Sequence, residues 1–404
     1  MKYTCFSLLI LLLFFSCKQK IPVGVSFHAE SIYRTGESGD NFCLTWAADG
    51  SQVTSLDDGN WLVDTTREYH NRLYRITDGP DNFVKADIPT YPLFLHRDSS
   101  SWFGYGMLSV NQTLYSVISK TPVEKFSGPF TGVKLLKSKD NGESWFRVNK
   151  NGEEQLIGPQ DSDRKLSEEK EMFFFKEDPV KYGGKDAYPF SYFDFVQHGR
   201  DNGLAEDGFL YIYSPEGAKS NKLLLARVPS SELELRASWE FFVGYENNQP
   251  RWSKKLSDRG FVHEFPEKNK DGNYFGWYSW LPSVVWNPGL GLYIMVNGGT
   301  YAGYGMTDSE KDYFETWVHS KTGSLGFWYS DKPYGPWKEF FYTDYWTADH
   351  PDNLTYQPKL SPKWISDDGK EMILVWSDAM KDANGNFWGP NYRWNHMKIK
   401  IEMQ

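Results

Sequence analysis

One hairpin pattern occurs five times along this chain of 404 residues. Each copy has an apolar or aromatic stretch, a short turn rich in Asp, Asn and Gly, and a second aliphatic and aromatic stretch. Turns of this kind between two strand-like stretches are typical of β-hairpins. Five copies at intervals of roughly 75 residues predict an all-β fold, a five-bladed β-propeller. The copies are Cys43–Leu56, Gly104–Ile118, Asp194–Ser214, Trp280–Val296 and Ser361–Trp376.

The N-terminus has the pattern of a secretory signal peptide over residues 1–16. Lys2 supplies a positive charge, and the apolar stretch Phe6–Phe15 is too short to span a bilayer. A small residue and Cys17 follow, which resembles the cleavage site of a bacterial lipoprotein. We therefore expect a lipid on Cys17 that attaches the protein to a membrane of the bacterial cell envelope, namely the outer membrane.

The rest of the chain is expected to form a tether over residues 17–26 and one monomeric domain over residues 27–404. No Ser/Pro/Gly-rich linker or low-complexity stretch divides it. The net charge of −9 provides no basic surface for nucleic acid. Cys43 is the one cysteine left beyond the lipid site, so no disulfide framework is available.

Metal ligands are not indicated by any recognised spacing. Acidic and histidine pairs such as Asp57–Asp58 and His263–Glu264 are short and isolated. We expect such acidic pairs in turns or solvated loops. We expect no cofactor, although a structural divalent cation would be compatible with the sequence.

Aromatic residues make up 17% of the chain and occur in clusters. Such rings pack between the blades of a propeller, and they also stack on the C–H faces of sugar rings. Where Gly, Asn and Arg lie among the rings, a ligand-binding wall is expected. On this basis Trp102, Trp280 and Arg393 are candidate substrate-binding residues.

A sharper motif lies at Ser138–Trp145, which matches the Asp-box pattern Ser-x-Asp-x-Gly-x-Ser/Thr-Trp. This pattern is found between outer strands of propeller blades in sialidases and other sugar-handling proteins. Asp140 and Gly142 would shape the turn, and Trp145 would be buried beneath it. The motif therefore supports the fold and indicates a structural, not a catalytic, Asp140.

The chain also resembles a family of bacterial propeller domains catalogued as domain of unknown function 4185, often lipoproteins encoded in polysaccharide-utilisation clusters. The resemblance covers most of the mature chain. It implies an enzyme that cleaves polysaccharides, by hydrolysis in some members, whereas other propeller families cut uronate-containing chains by elimination. Relatives commonly have an acid where this chain has Ala48, and an aromatic or amide residue where it has His198. The motifs that carry the resemblance are Gly39–Phe42, Thr45–Gly50, Leu223–Pro229, Ser283–Gly291 and Leu360–Ser366.

The repeat itself locates a site, because the innermost strands of a propeller line its central channel. The five turns align at Asp49, Asn111, Asp207, Asn287 and Asp367. Nine residues earlier, at the expected start of each inner strand, stand Asp40, Trp102, His198, Tyr278 and Pro358, the last beside Gln357 and Lys359.

These positions indicate β-elimination on a uronic-acid-containing polysaccharide of the ulvan type, or on its oligosaccharides, by a lyase or a terminal-uronate dehydratase. His198 is the expected base, since its usual pKa is close to neutral, and Tyr278 would be the acid or share the function of the base. Arg200 would hold the substrate carboxylate, with Lys359 as a second cation and Asp40 as a further binding residue.

Two other functions remain open. A glycoside hydrolase would use two carboxyl groups, with Asp40 paired with either Asp201 or Asp194. A non-catalytic polysaccharide-binding lipoprotein would use the same aromatic wall.

Overall fold

The computed structural model describes most of the chain beyond its N-terminal segment. The described residues are 21–61, 69–95, 102–120, 130–159, 172–182, 185–217, 221–272, 281–299, 323–351, 353–380 and 391–404. Helical structure within these ranges consists of 3-10 turns, and no helix there is long and apolar enough to cross a membrane.

Five antiparallel sheets confirm the predicted five-bladed β-propeller. The chain begins with β1 (Pro22–Phe27) and β2 (Tyr33–Thr35), which belong to the fifth blade. The first blade contains β3 (Ser38–Asp40), β4 (Leu44–Trp46), β5 (Gln52–Asn60), β6 (Tyr69–Thr77), β7 (Val84–Asp87) and β8 (Phe94–Leu95). The second contains β9 (Trp102–Val110), β10 (Thr113–Lys120), β11 (Gly132–Ser138), β12 (Trp145–Val148), β13 (Glu154–Ile157) and β14 (Phe174–Phe175).

A small hairpin of β15 (Val180–Tyr182) and β16 (Lys185–Ala187) leads to the third blade. That blade contains β17 (Asp194–Phe195), β18 (Phe209–Pro215), β19 (Lys222–Pro229), β20 (Glu240–Glu246), β21 (Gln249–Ser253) and β22 (His263–Glu264). The fourth contains β23 (Ser283–Asn287), β24 (Leu292–Gly299), β25 (Gly323–Ser330) and β26 (Lys338–Trp346). The fifth contains β27 (Asn353–Ile365), β28 (Glu371–Met380) and β29 (Trp394–Met403).

The inner strands of neighbouring blades contact one another around a central channel. Between the third and fourth blades the Gln197 N–H donates to the Val284 carbonyl at 2.9 Å, and the Trp286 N–H donates to the Gln197 carbonyl at 2.8 Å. The bridge between Gln197 and Val285 is parallel, so these inner strands run in the same direction. The inner strands therefore all begin at one end of the channel and enter their hairpin turns at the other.

Hydrophobic residues cover both faces of the blades, because each blade is packed between two others. All nine residues of β9 are buried. One core joins the second and third blades through Leu108, Val117, Phe195 and Ile212. The strands are consequently apolar along nearly their whole length and do not alternate between apolar and polar residues.

The ring closes where β1 pairs with β29 as the outermost strand of the fifth blade. The C-terminal strand thus pairs with the N-terminal one. The predicted tether over 17–26 is wrong in its second half, because Pro22–Phe27 is a strand and the propeller starts at residue 22, not 27. Cys17 lies outside the described residues.

The Asp-box turn has the predicted structural function. The Asp140 carboxylate accepts the Ser144 N–H at 2.9 Å, and the Ser138 hydroxyl accepts the Gly142 N–H at 2.7 Å. Gly142 has a φ of 98°, which glycine adopts at little cost. Trp145 is fully buried.

Candidate functional site

The channel has two ends, and they differ in chemistry. We call the end where the inner strands begin the start mouth, marked by Asp40 in the first blade and Asp194 in the third. We call the other end the turn mouth, marked by the hairpin turns at Asp49, Asn111 and Asp367.

Carboxyl groups of the first blade gather at the start mouth. Asp40 of β3 pairs with Asp57 of β5, and both are buried. The Asp57 carboxylate accepts the Gly104 N–H at 2.8 Å and the Nδ2 groups of Asn41 at 3.1 Å and Asn71 at 3.4 Å. A Cβ at Gly104 would stand 1.6 Å from Asn71 Nδ2, so this approach requires glycine.

The pKa of the Asp57 carboxyl is raised well above its usual range. Burial is the main cause, and the charges of Asp40 and Asp58 add to it. The hydrogen bonds from Asn41 and Gly104 oppose this shift without cancelling it. Asp40 in turn accepts the hydroxyl of Tyr392 at 2.8 Å.

A second buried carboxyl comes from the third blade. Asp194 accepts the Phe195 N–H at 2.9 Å, and Lys359 Nζ of the fifth blade lies 3.8 Å from its Oδ2. Lys359 Nζ also donates to the Leu281 carbonyl at 2.8 Å. Burial raises the pKa of Asp194, while the charge of Lys359 opposes the shift.

The Cys43 thiol lies between these carboxyl groups. Burial raises its pKa, the charge of Asp194 raises it further, Lys359 lowers it, and Asp57 raises it again. The pKa of this one buried thiol is thus shifted by charged groups of the first, third and fifth blades. The start mouth therefore brings together Asp40, Asp57, Asp194 and Lys359.

His198 does not belong to this group, so the structure does not bring the expected base together with Lys359. It is buried, its Nδ1 is 3.1 Å from Asn202 Oδ1, and its Nε2 is 3.0 Å from the Tyr293 hydroxyl. Burial lowers its pKa. With Nδ1 donating and Nε2 accepting, both ring nitrogens are occupied within the protein, which makes His198 a hydrogen-bonded spacer.

The physical reason is a longer connection in the third blade. A 3-10 turn at Arg200–Asn202 lies between β17 and β18, so a step of nine residues from Asp207 stops short of the inner strand. The residue at the start of that strand is Asp194.

Arg200 and Asp201 both lie at the turn mouth. Arg200 Nε donates to the Ala48 carbonyl at 2.9 Å, so the structure does not bring the expected clamp together with Lys359. Asp201 accepts the Ser109 hydroxyl at 2.7 Å and the Gln112 N–H at 2.9 Å. Of the two predicted carboxyl pairs, Asp40 and Asp201 are not brought together, because they stand at opposite ends of the channel.

A cleft of about 710 Å³ opens at the turn mouth, lined by these two residues and by the Asp-box turn. The carboxylate of Asp49 in this cleft binds Arg75 at 2.8 Å and Asn141 Nδ2 at 2.9 Å. Its polar groups thus hold the loops of the first three blades together.

Two predicted substrate-binding residues lie away from the channel. Trp102 is fully buried in the core between the first and second blades. Arg393 is half-buried and its Nη1 lies 3.4 Å from the Gly36 carbonyl, at the junction of the fifth and first blades. Its neighbour Tyr392 is the residue that reaches Asp40. Tyr278 and Trp280 lie outside the described residues.

Asp57 is the site residue that the sequence interpretation missed. Its acidic pair was expected in a turn or solvated loop, yet both residues lie in β5. A carboxyl pair within a nine-residue strand is the signal that could have identified it. Across the described ranges, no group of three or more His, Cys, Asp or Glu side chains is arranged to hold a metal ion.

The sequence matches no protein-family model and no curated protein. Solved structures share its fold at low identity. A proposed hydrolase from Bacteroides ovatus is 14% identical with a TM-score of 0.50, over 91% of this chain and 87% of that one. An arabinanase from Bacillus subtilis is 12% identical with a TM-score of 0.42, over 91% of this chain and 96% of that one. The catalytic domain of an α-L-arabinofuranosidase from Coprinopsis cinerea is 8% identical with a TM-score of 0.44, over 95% of this chain and 98% of that one. These similarities concern the propeller fold.

Proposed function

We propose that this protein is a carbohydrate-active enzyme that hydrolyses glycosidic bonds with the carboxyl groups of the start mouth. The observation that carries the proposal is that buried carboxyl groups of two blades meet at the start mouth, where Asp194 and Asp57, the strand partner of Asp40, both raise the pKa of the Cys43 thiol. Hydrolysis of a glycosidic bond commonly uses one carboxyl group that carries a proton and one that is ionised.

The surroundings of the two groups fit these different tasks. Asp194 has a raised pKa and can hold a proton for the leaving glycosidic oxygen. Asp40 accepts the Tyr392 hydroxyl, which holds the carboxyl group in place, and in this proposal it removes a proton from the attacking water or attacks the sugar itself. Asp57 behind Asp40 fixes that strand through its contacts with Gly104 and Asn41.

The other functions have less support. Elimination by His198 and Arg200 loses its basis, because these residues stand at the opposite end of the channel from Lys359. A purely binding function would not require two carboxyl groups buried at one end of the channel. The Bacteroides ovatus protein of similar fold is itself described as a proposed hydrolase, which agrees with the proposal.

Turnover of polysaccharides by the purified protein tests this function. We expect Asp40→Asn and Asp194→Asn each to lower turnover at least about 100-fold, as for loss of a positioned acid or base. Asp201→Asn is the matched control at the turn mouth. Its φ of 52° suits Asn, and its turnover should stay near wild type. Unchanged turnover in both start-mouth variants would reject the proposal.

We also propose that lipid on Cys17 anchors the enzyme to the outer membrane of a bacterial envelope, where it meets polysaccharide or oligosaccharide substrates. The support is the signal-like segment 1–16 that ends at this cysteine.

A further inference from the structure

The inner strand of the fifth blade has a β-bulge at the start mouth. In the pairing of β27 with β28, Tyr356 stands opposite Ser377 and Lys359 opposite Val375, so β27 contains one extra residue between them. Gln357 lies in this bulge with a φ of 58°, a conformation that residues other than glycine rarely adopt. Bulges often occur next to active sites, where they turn a side chain in a new direction. Here the bulge directly precedes Lys359.

The residues of this bulge region contact both carboxyl segments of the proposed active site. Gln357 Oε1 accepts the N–H of Asn41 at 2.5 Å, and Asn41 directly follows Asp40. Two residues further along β27, Lys359 Nζ lies 3.8 Å from Asp194 Oδ2. The fifth blade therefore places an ammonium group beside the carboxyl group that comes from the third blade.

Lys359 is also held by the fourth blade. It is 1% exposed, and its Nζ donates to the Leu281 carbonyl at 2.8 Å. Leu281 has a φ of 59°, another uncommon backbone conformation at this mouth, and such conformations persist only where the surrounding structure holds them. A buried ammonium group loses its hydration and needs acceptors that replace the lost water. The Leu281 carbonyl and the Asp194 carboxylate are such acceptors, so the charge of Lys359 stays beside Asp194.

Within the described part of the chain, the groups that face Asp194 differ in charge. Burial raises the pKa of Asp194, and the opposing groups are, in order of effect, the Lys359 ammonium, the Phe195 N–H, the Cys43 thiol and the Met107 N–H. The thiol is uncharged near neutral pH because burial raises its own pKa, and Asp57 faces that thiol as well. Lys359 is therefore the charged member of the set that opposes the effect of burial on Asp194.

We propose that Lys359 is a positioning residue, which holds the Asp194 carboxyl group in the proposed active site and sets the pH range over which that group carries a proton. For its catalytic consequence the inference rests on the proposed function. A positive charge beside a buried carboxyl group favours the ionised form, so Lys359 keeps the pKa of Asp194 below the value that burial alone would give. The protonated carboxyl group is the one that donates to the leaving oxygen. Loss of the Lys359 charge should therefore extend activity to higher pH.

Replacement of Lys359 by an uncharged residue tests the inference, first without substrate. Lys359→Met keeps the approximate length of the side chain and removes its charge. Infrared spectra recorded across pH would follow the carboxyl band that disappears in Asp194→Asn. The midpoint of this titration should lie at higher pH in Lys359→Met than in wild type, because the ionised Asp194 loses its positive neighbour.

The pH profile of kcat/KM, on a polysaccharide that the wild type hydrolyses, is the second measurement. Its alkaline limb should move to higher pH in Lys359→Met, and its maximum should fall about 10-fold for one lost charge-assisted contact. Lys359→Gln keeps a polar N–H group for the buried site and should move both midpoints in the same direction, which guards against misfolding of the Met variant. Lys134→Met is the matched control, because Lys134 is also 1% exposed but lies in β11, with its Nζ 5.5 Å from the ring centroid of Trp102. It should leave both midpoints unchanged.

The inference is rejected if the infrared midpoint in both Lys359 variants stays at or below the wild-type pH, or if Lys134→Met moves it equally. Failure of the proposed function looks different. An infrared midpoint that moves while the alkaline limb of kcat/KM stays in place keeps the effect of Lys359 on Asp194 and rejects Asp194 as the proton donor. Conversely, hydrolysis that is lost in Asp194→Asn, with both midpoints unchanged in Lys359→Met, keeps the hydrolase and rejects the function of Lys359.

Discussion

The N-terminal strand contributes one aromatic side chain to the core between the fourth and fifth blades. Phe27 ends β1, whose backbone is bonded to the fifth blade, but its ring packs on the fourth. The centroid of the Phe27 ring lies 5.2 Å from that of Phe341, 5.6 Å from that of Trp346 and 6.2 Å from that of Phe327. Phe27→Ala should therefore loosen the seam between these blades.

The expected loss follows from these contacts. Phe→Ala in a full core costs about 3–5 kcal/mol, and since Phe27 is half-buried we expect about 2–3 kcal/mol in the free energy of unfolding. Urea denaturation followed by tryptophan fluorescence measures it. Val23→Ala is the control, because Val23 is in the same strand but 46% exposed, and it should change stability by less than about 0.5 kcal/mol. Equal losses in the two variants would refute this account of closure.

Three further outcomes are expected. Deletion of Trp394–Gln404 should abolish cooperative folding by circular dichroism, because β29 pairs with β28, β1 and β2; a soluble truncation with a sharp melt would contradict this. Cys17→Ala should move the protein from the membrane pellet to the soluble fraction, and persistence in the pellet would exclude lipid anchoring. The pKa of the Asp57 carboxyl in the folded state lies well above its value in the unfolded state, which is about 3.9. At pH values between these two pKa values the folded state therefore binds more protons than the unfolded state. Stability should then fall as pH rises through that window, and Asp57→Asn should flatten the slope in denaturation measured across pH.

The hairpin turns could be predicted because their chemistry is local. Asp49–Gly50 and Asp368–Gly369 form turns through their own side chains and the positive φ of their glycines. Asp40 was placed correctly at the start mouth since nothing is inserted between it and its turn. The pairing of the two terminal strands removes edges that an open array of blades would expose.

The site was only partly predictable, because two of its features depend on distant contacts. The extra 3-10 turn of the third blade, with Asp201 at a φ of 52°, displaced the expected base to His198 and concealed Asp194. Asp57 looks like a surface residue in the sequence. Its burial requires Gly104 of the second blade to approach closely, which no local pattern records.

The identity of the reaction product tests the central claim most directly. The protein would be incubated with neutral and uronate-containing polysaccharides, and reducing ends and the ultraviolet absorbance of unsaturated uronates would be measured together. We predict saturated reducing sugars without that absorbance, lost in Asp194→Asn and retained in His198→Gln. An unsaturated product that disappears in His198→Gln but persists in Asp194→Asn would contradict a hydrolase built on the carboxyl groups of the start mouth.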